Sequence, residues 1–423
     1  MISLPTIDFM GSPGGRALLF SALYFAEGAP IGFLWWALPA ILRGDGETIE
    51  EIAGLTAVLV LPWALKFLWS PLLDRTGGDR GSLRTWIVRS QLAMGCTIAP
   101  LFWIDWSTGS ILFTGCLILH AIAASTQDAA IDSLAIRTVP VAERGAVNGW
   151  MQAGMLIGRG LLGGGSLLLI DMFGRQGVIM LLLMAMWIPM VFAATARTAQ
   201  HASAGSTGVK AIEAWKATLK TVLTDKRAIW GLLFAVLAGA AFEGVGSVAG
   251  AFLVDMDWDR GVIARFFGID AIAAMAIGSL LGGKAADRFG RHVAVKAFTI
   301  LLSLLVLLLA LFVAYRSSLP EWMLIVLMTS LYGGIGLFLS ASFAFLMDLT
   351  SPVYAATQFS LFMAGTNLCE SWSAAAIGQM ISRMGYPHAF AVMALLSLCS
   401  LPVLRKGAVH VPQSLTVPEK KPL

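Results

Sequence analysis

The chain has 423 residues, 57% of them hydrophobic and only 13% charged, with a mean hydropathy of +0.79. A soluble protein of this length splits into domains whose surfaces bring charged residues to about a quarter of composition, so a water-soluble fold is excluded and an integral membrane protein implied. The net charge of +4 says little, because in a membrane chain the distribution of charge decides.

The N-terminus lacks the charged region and small-residue cleavage site of a secretory signal, so the first apolar segment is expected to stay as a helix. Runs long enough to cross a bilayer fall at about 16–41, 50–73, 86–106, 110–135, 147–171, 176–196, 228–254, 260–283, 293–315, 321–347, 355–382 and 384–404. They predict an all-α membrane protein of twelve spans. Of the 29 Lys and Arg, 21 lie in the N-terminus, the even-to-odd loops and the C-terminal tail. Six lie in the opposite loops, and Lys66 and Arg159 lie inside spans. Both termini are therefore predicted to be cytoplasmic. The longest connection opens as ASAGSTG and continues with spaced basic residues, which suits either an amphipathic helix on anionic lipid or a linker that lets two bundles rock. The expected organisation is a six-helix bundle at 1–196, a cytoplasmic linker at 197–227, a second six-helix bundle at 228–404 and a cytoplasmic tail at 405–423.

An acidic residue sits deep in the first span of each predicted bundle, Glu27 and Glu243. Eleven residues separate Arg16 from Glu27, which places Glu27 about 16 Å into a hydrocarbon layer about 30 Å thick. A carboxylate at that depth is tolerated where it faces a polar cavity and handles an ion or a solute. Glu27 precedes Asp74-Arg75 by 47 residues, and Glu243 precedes Asp287-Arg288 by 44. Such parallel repeats, with a binding site at the midplane between them, describe one large transporter architecture.

The loop after the eighth span reads GGKAADRFGRH from Gly282, and its Gly283, Asp287, Arg288, Gly290 and Arg291 match the G-x-x-x-D-R-x-G-R motif. In this the chain resembles the major facilitator superfamily, with twelve helices in two six-helix bundles related by a pseudo-twofold axis. The first-half copy, WSPLLDRTGGDRG from Trp69, keeps Asp74-Arg75 but puts Ser70 or Pro71 where the leading Gly belongs. KFLWSPLLDR from Lys66 and STQDAAIDSLAIRTVPVAERGA from Ser125 further resemble the peptide and acetyl-coenzyme A transporter family, most closely its muropeptide permease branch. The resemblance implies proton-driven import of anhydro-muropeptides across the bacterial inner membrane, and it implies that Asp128 and Asp132 matter. Importers of ferric siderophores carry similar segments, and YFAEGAPIGFLWWALPA from Tyr24 is similar to theirs too.

Read from the residues, Asp128 and Asp132 share one helix face a turn apart. For Asp128, proton uptake and a purely structural role both stand; for Asp132 the expectation is a charge latch with Arg137 and Arg144. Proton-coupling candidates are thus Glu27, Asp128, Glu243 and Glu370. Substrate-binding candidates are Tyr24, Lys66, Gln127, Gln152, Arg159, Asn367 and Trp372, with Arg159 paired to Glu27 or Asp128, or to an anionic substrate group. Trp35, Trp36 and Trp150 suit either sugar stacking or anchoring at the bilayer interface. The conformational latch is assigned to Asp74, Arg75, Asp132, Arg144, Asp287, Arg288 and Arg291. Gly154 and Gly158 are expected to allow close helix packing, and His120 to be a satisfied core group.

Other chemistry finds little footing. Cys96, Cys116, Cys369 and Cys399 are scattered singly, as core residues are, with neither disulfide nor metal spacing. Gly278 to Lys284 imitates a phosphate-binding loop, but Ala285 replaces its Ser/Thr and no strand precedes it. No cofactor, metal or nucleic-acid partner is expected. The partners expected are a small-molecule substrate, protons and membrane lipids, with a monomer as the working unit. A membrane enzyme would need a nucleophile or metal constellation, and HExxH and GxSxG are both missing.

Overall fold

The computed structural model describes residues 7–76, 80–196, 215–216, 220, 224–258, 260–316, 320 and 322–407. The predicted linker therefore lies largely outside the described residues, as does most of the tail. Helix α1, Pro13–Gly44, starts where the Ser12 hydroxyl accepts the Gly15 amide, and Pro13 fits the first turn because its amide would go unused there. It passes through a π turn at Phe33–Ala37, just after Pro30 removes a backbone donor. Helix α2, Ile49–Leu65, opens with a reciprocal Thr48/Glu51 cap. A 3-10 turn, Lys66–Leu68, and the short α3, Ser70–Thr76, follow.

Then come α4 (Arg80–Ile98), α5 (Ile111–Thr138), α6 (Arg144–Leu162) and α7 (Gly164–Thr195). The second half comprises α8 (Lys226–Asp255), α9 (Gly261–Phe289), α10 (Arg291–Ala314), α11 (Trp322–Asp348), α12 (Ala355–Leu398) and α13 (Ser400–Gly407). Helix α8 is broken around Ala238 and Gly239. Helices α7 and α12 each turn at a glycine in the left-handed region, Gly174 (φ 66°) and Gly385 (φ 77°), which other residues adopt only under strain. The run expected as one span over 147–171 is interrupted at Gly163, where α6 ends and α7 begins.

Among the described residues, eight helical stretches are long and apolar enough to cross a membrane. Helix α1 packs on α6 and α7 in the first half, and α9 packs on α11 in the second. Between the halves, α6 meets α9 and α11, and α5 meets α12. One apolar core cluster, including Leu73, Leu134, Ala286 and Ala356, joins the two halves. A second, including Phe33, Trp106 and Phe113, holds only first-half residues. The halves are therefore sealed together at the end that holds Leu73, Leu134, Ala286 and Ala356.

Candidate functional site

Between the halves lies a cavity of about 900 Å³, lined from α1, α2, α5, α6, α8, α9, α11 and α12. Its first-half wall is set by a close crossing of α1 and α6. A methyl group on Gly28 or Gly32 would lie 2.2–2.3 Å from the Met155 or Arg159 carbonyl oxygen, and one on Gly154 would lie 2.2 Å from that of Ser21. Backbone contact of this kind brings Glu27 and Arg159 to the same level of the cavity.

Glu27 is 1% exposed, and neither of its carboxylate oxygens accepts a hydrogen bond among the described residues. The charges acting on it are Asp128, Lys66, Asp132 and Arg159. Lys66, brought inward by the turn after α2, forms a buried ion pair with Asp128. One turn further along α5, Asp132 accepts a hydrogen bond from the Tyr24 hydroxyl at 2.5 Å. Arg159 feels four carboxylates, two from each half: Glu27 and Asp128, Glu370 and Glu243. Its Nε has no hydrogen-bond partner among the described residues.

The second half offers Glu243 and Glu370 to the cavity, beside Asn367 and Cys369, and no cation among the described residues. Glu243 stands in the first turn of the helix that restarts after the break in α8, where the helix dipole favours a carboxylate. The break is held open by side chains: the Trp372 indole donates to the Val236 carbonyl (2.9 Å) and the Ser397 hydroxyl to that of Ala238 (2.5 Å). Trp35 and Trp63 meet edge-on (centroids 5.5 Å apart) and line the cavity with Trp36.

At the sealed end, each half caps a helix of the other. Helices α12 and α6 begin at Tyr354 and Glu143, whose side chains form no cap. Asp74 accepts the Ala356 and Thr357 amides (3.0 and 2.9 Å), the Thr357 hydroxyl (2.6 Å) and Arg137 (2.8 Å). Asp287 accepts the Gly145 and Ala146 amides (2.8 and 2.7 Å) and Arg291 (3.0 Å). Asp348 pairs with both Arg144 (2.8 Å) and Arg291 (2.6 Å).

Residues 17–142 match the family described as acetyl-coenzyme A transporter 1, and residues 266–422 match the major facilitator superfamily. The fold is that of the Escherichia coli fucose:proton symporter (TM-score 0.72, 12% identity, 93% of this chain and 98% of that one). The whole chain thus has the major facilitator fold. It is similarly folded to a bacterial homologue of the iron transporter ferroportin (TM-score 0.68, 16% identity, 94% and 99%). In sequence it is 26% identical to the anhydromuropeptide permease of Escherichia coli over 82% of this chain and 71% of that protein. A putative AmpG-type transporter of Rickettsia conorii is 23% identical over 90% and 94%. Together these matches make the chain a multi-pass membrane transporter and not an enzyme.

The cavity of this transporter gathers Tyr24, Glu27, Lys66, Asp128, Asp132, Gln152, Arg159, Glu243, Asn367 and Glu370. Two of the residues singled out for substrate binding lie outside it. Gln127 points across the α1–α5 contact, its amide nitrogen 3.4 Å from the Leu23 carbonyl, because adjacent residues on a helix face different ways. Trp372 holds the α8 break, as described above. Asp128 pairs with Lys66 and not with Arg159, because the Lys66–Leu68 turn packs directly on α5. Asp132 does not latch to Arg137 or Arg144: α5 continues to Thr138, leaving Asp132 inside the bundle with Tyr24 while Arg137 reaches Asp74 and Arg144 reaches Asp348. Arg75 and Arg288 are exposed.

The sequence reading did not find Asp348, Trp63 or the wall from α2 and α9. Asp348 did leave a signal, because an acid as the last residue of a long apolar helix opposes the helix dipole and calls for cationic partners. His120, expected to be a satisfied core group, is fully buried but only half satisfied: Nδ1 lies 3.1 Å from the Met94 carbonyl, and Nε2 has no hydrogen-bond partner among the described residues.

Proposed function

We propose that the chain is a proton-coupled importer of anhydromuropeptide-like solutes that works by alternating access in the bacterial inner membrane. The carrying observation is Arg159, set in the cavity among carboxylates from both halves. The likeness to the anhydromuropeptide permease over most of both chains supports the substrate class.

On this reading twelve helices cross the membrane. The eight apolar stretches become nine at the Gly385 turn, and α2, α4 and α6 add three that are shorter or more polar. The bundles are 1–196 and 228–404, joined by 197–227, with both termini cytoplasmic. The sealed end then faces the cytoplasm and the cavity opens outward.

Coupling follows from charge. Five carboxylates share the cavity with two cations, so full ionisation would leave three uncompensated negative charges along its walls. Protons are the simplest neutralisers, and Glu27, whose oxygens have no hydrogen-bond donor among the described residues, is the acid that gains most from one. A solute carboxylate arriving on Arg159 competes with Glu27 for that cation and raises its affinity for a proton, so solute and proton load together. Asp128, locked to Lys66, is the second candidate.

The test is uptake of radiolabelled anhydromuropeptide in cells lacking their own permease, with a ferric siderophore as the rival solute. Accumulation should collapse with a protonophore and in the Glu27→Gln variant while membrane insertion persists. Arg159→Lys keeps the charge but loses two-point carboxylate recognition, and should weaken binding about tenfold or more. Undiminished concentrative uptake in both Glu27→Gln and Asp128→Asn removes these acids from the mechanism. Transport of the siderophore alone replaces the substrate.

A further inference from the structure

The two walls of the cavity differ in a way that neither proton coupling nor recognition of a solute carboxylate explains. Both cations, Lys66 and Arg159, come from the first half. Lys66 is already committed to Asp128, which among the described residues leaves Arg159 to meet an anionic solute. The second half presents Glu243 and Glu370, whose carboxylates have no hydrogen-bond or ion-pair partner among the described residues. Glu370 is exposed to the cavity and Glu243 half-buried beside it, and the two act on each other as well as on Arg159.

Across the cavity Glu27 is buried with both oxygens unpartnered. Arg159 is thus shared by acids on both sides of it. A solute bearing only a carboxylate would neutralise Arg159, the one positive charge among the described residues that acts on Glu243, and leave Glu243 and Glu370 repelling each other. A solute that also carries a cation restores the balance: its carboxylate takes Arg159 and its ammonium group supplies the partner that the second-half acids lack.

We infer that Glu243 and Glu370 form a subsite for a primary ammonium group of the transported solute, so that the cargo is zwitterionic and bridges the two halves. The inference rests on the reading of this cavity as the solute site. It adds that a free amine on the cargo is read by the second half, while its carboxylate is read by Arg159 on the first. Because the two charges of one molecule then bind opposite walls, the amine also draws the halves together, and blocking it should impair translocation as well as binding.

The experiment uses the purified full chain and its Glu243→Gln, Glu370→Gln and double variants, each checked for monodispersity by gel filtration. Binding and proteoliposome uptake are compared for an anhydromuropeptide with a free side-chain amine and for the same molecule acetylated there. Cadaverine and its mono-N-acetyl derivative serve as probes independent of the sugar, read by thermal shift. The expected result is a preference of about tenfold or more for the free amine that shrinks in each single variant and vanishes in the double one. Cadaverine should stabilise the wild type and not the double variant.

Equal handling of both muropeptide forms, or a preference that survives in the double variant, overturns the ammonium subsite and leaves the muropeptide reading standing. If neither muropeptide binds but cadaverine stabilises only chains with both glutamates, the muropeptide reading falls and the subsite stands. If no probe shows dependence on these glutamates, the subsite is wrong.

Discussion

Asp74 and Asp287 occupy matching places in the two halves, and each caps the second and third amides of a helix in the other half. Each also holds an arginine from a neighbouring helix end, Arg137 or Arg291. The two sites differ in depth. The Asp74 side chain is 1% exposed and also accepts the Thr357 hydroxyl, whereas that of Asp287 is 14% exposed and lacks a hydroxyl donor. The shared motif therefore supplies a helix cap across the interface, and its strength is set by what each half packs around it. The first-half copy, whose sequence departs more from the motif, makes the deeper contact.

The largest effect should come from Asp74→Ala. It removes the ion pair to Arg137 and leaves two amides and a hydroxyl without their acceptor in a buried place, a cost of about 3 kcal/mol or roughly a hundredfold in the ratio of sealed to open states. Hydrogen exchange at the Ala356 and Thr357 amides should accelerate, and transport should slow more than equilibrium binding of solute weakens. Binding lost in proportion to transport would place Asp74 in the solute site instead.

Gly145→Ala tests the other cap without touching an acid. The added methyl would lie 2.3 Å from the Gly283 carbonyl oxygen and 2.6 Å from Asp287 Oδ1. Helices α6 and α9 must part or the Asp287 cap must give way, at a cost of about 2 kcal/mol. Exchange should then rise at Gly145–Ala146's helix end and stay unchanged near Thr357. Asp287→Asn, which keeps one acceptor and the space, should cost about 1 kcal/mol by the same readout. An Asp287→Asn effect as large as that of Asp74→Ala would show that burial does not rank the two caps.

Much of this arrangement was legible in the sequence, and the boundary of legibility is physical. Hydropathy and the recurring Asp-Arg pairs carried the fold, because long apolar runs and repeated loops depend on local composition. The depth of Glu27, Glu243 and Arg159 likewise follows from counting along a helix, and all three line the cavity. What counting cannot supply is azimuth and partner choice. Gln127 and Asp128 are adjacent in sequence, yet the helix turn sends one into a packing contact and the other toward Lys66. Asp132 was one turn from where its role changed, and only the length of α5 decided that Arg137 would pass it and reach Asp74. The caps across the interface were invisible because their acceptor and donors lie 141 to 283 residues apart.

The smallest effect is expected where the motif is most conspicuous, at Arg75 and Arg288. Both follow the capping aspartate directly and both are exposed, with Arg288 lying over the Phe289 ring (5.7 Å). An arginine side chain in water gains little from nearby charges, because solvent screening and side-chain entropy offset the attraction. Arg75→Ala and Arg288→Ala should therefore each shift the sealed-to-open balance by less than about 0.5 kcal/mol, leaving amide exchange at Gly145 and Thr357 unchanged. Charge at this face still favours an orientation with the loops on the cytoplasmic side, so a loss seen only in membrane insertion would fit a topological role. If either arginine variant instead slowed transport as much as Asp74→Ala, the latch would depend on the whole Asp-Arg pair, and the helix caps alone would not account for it.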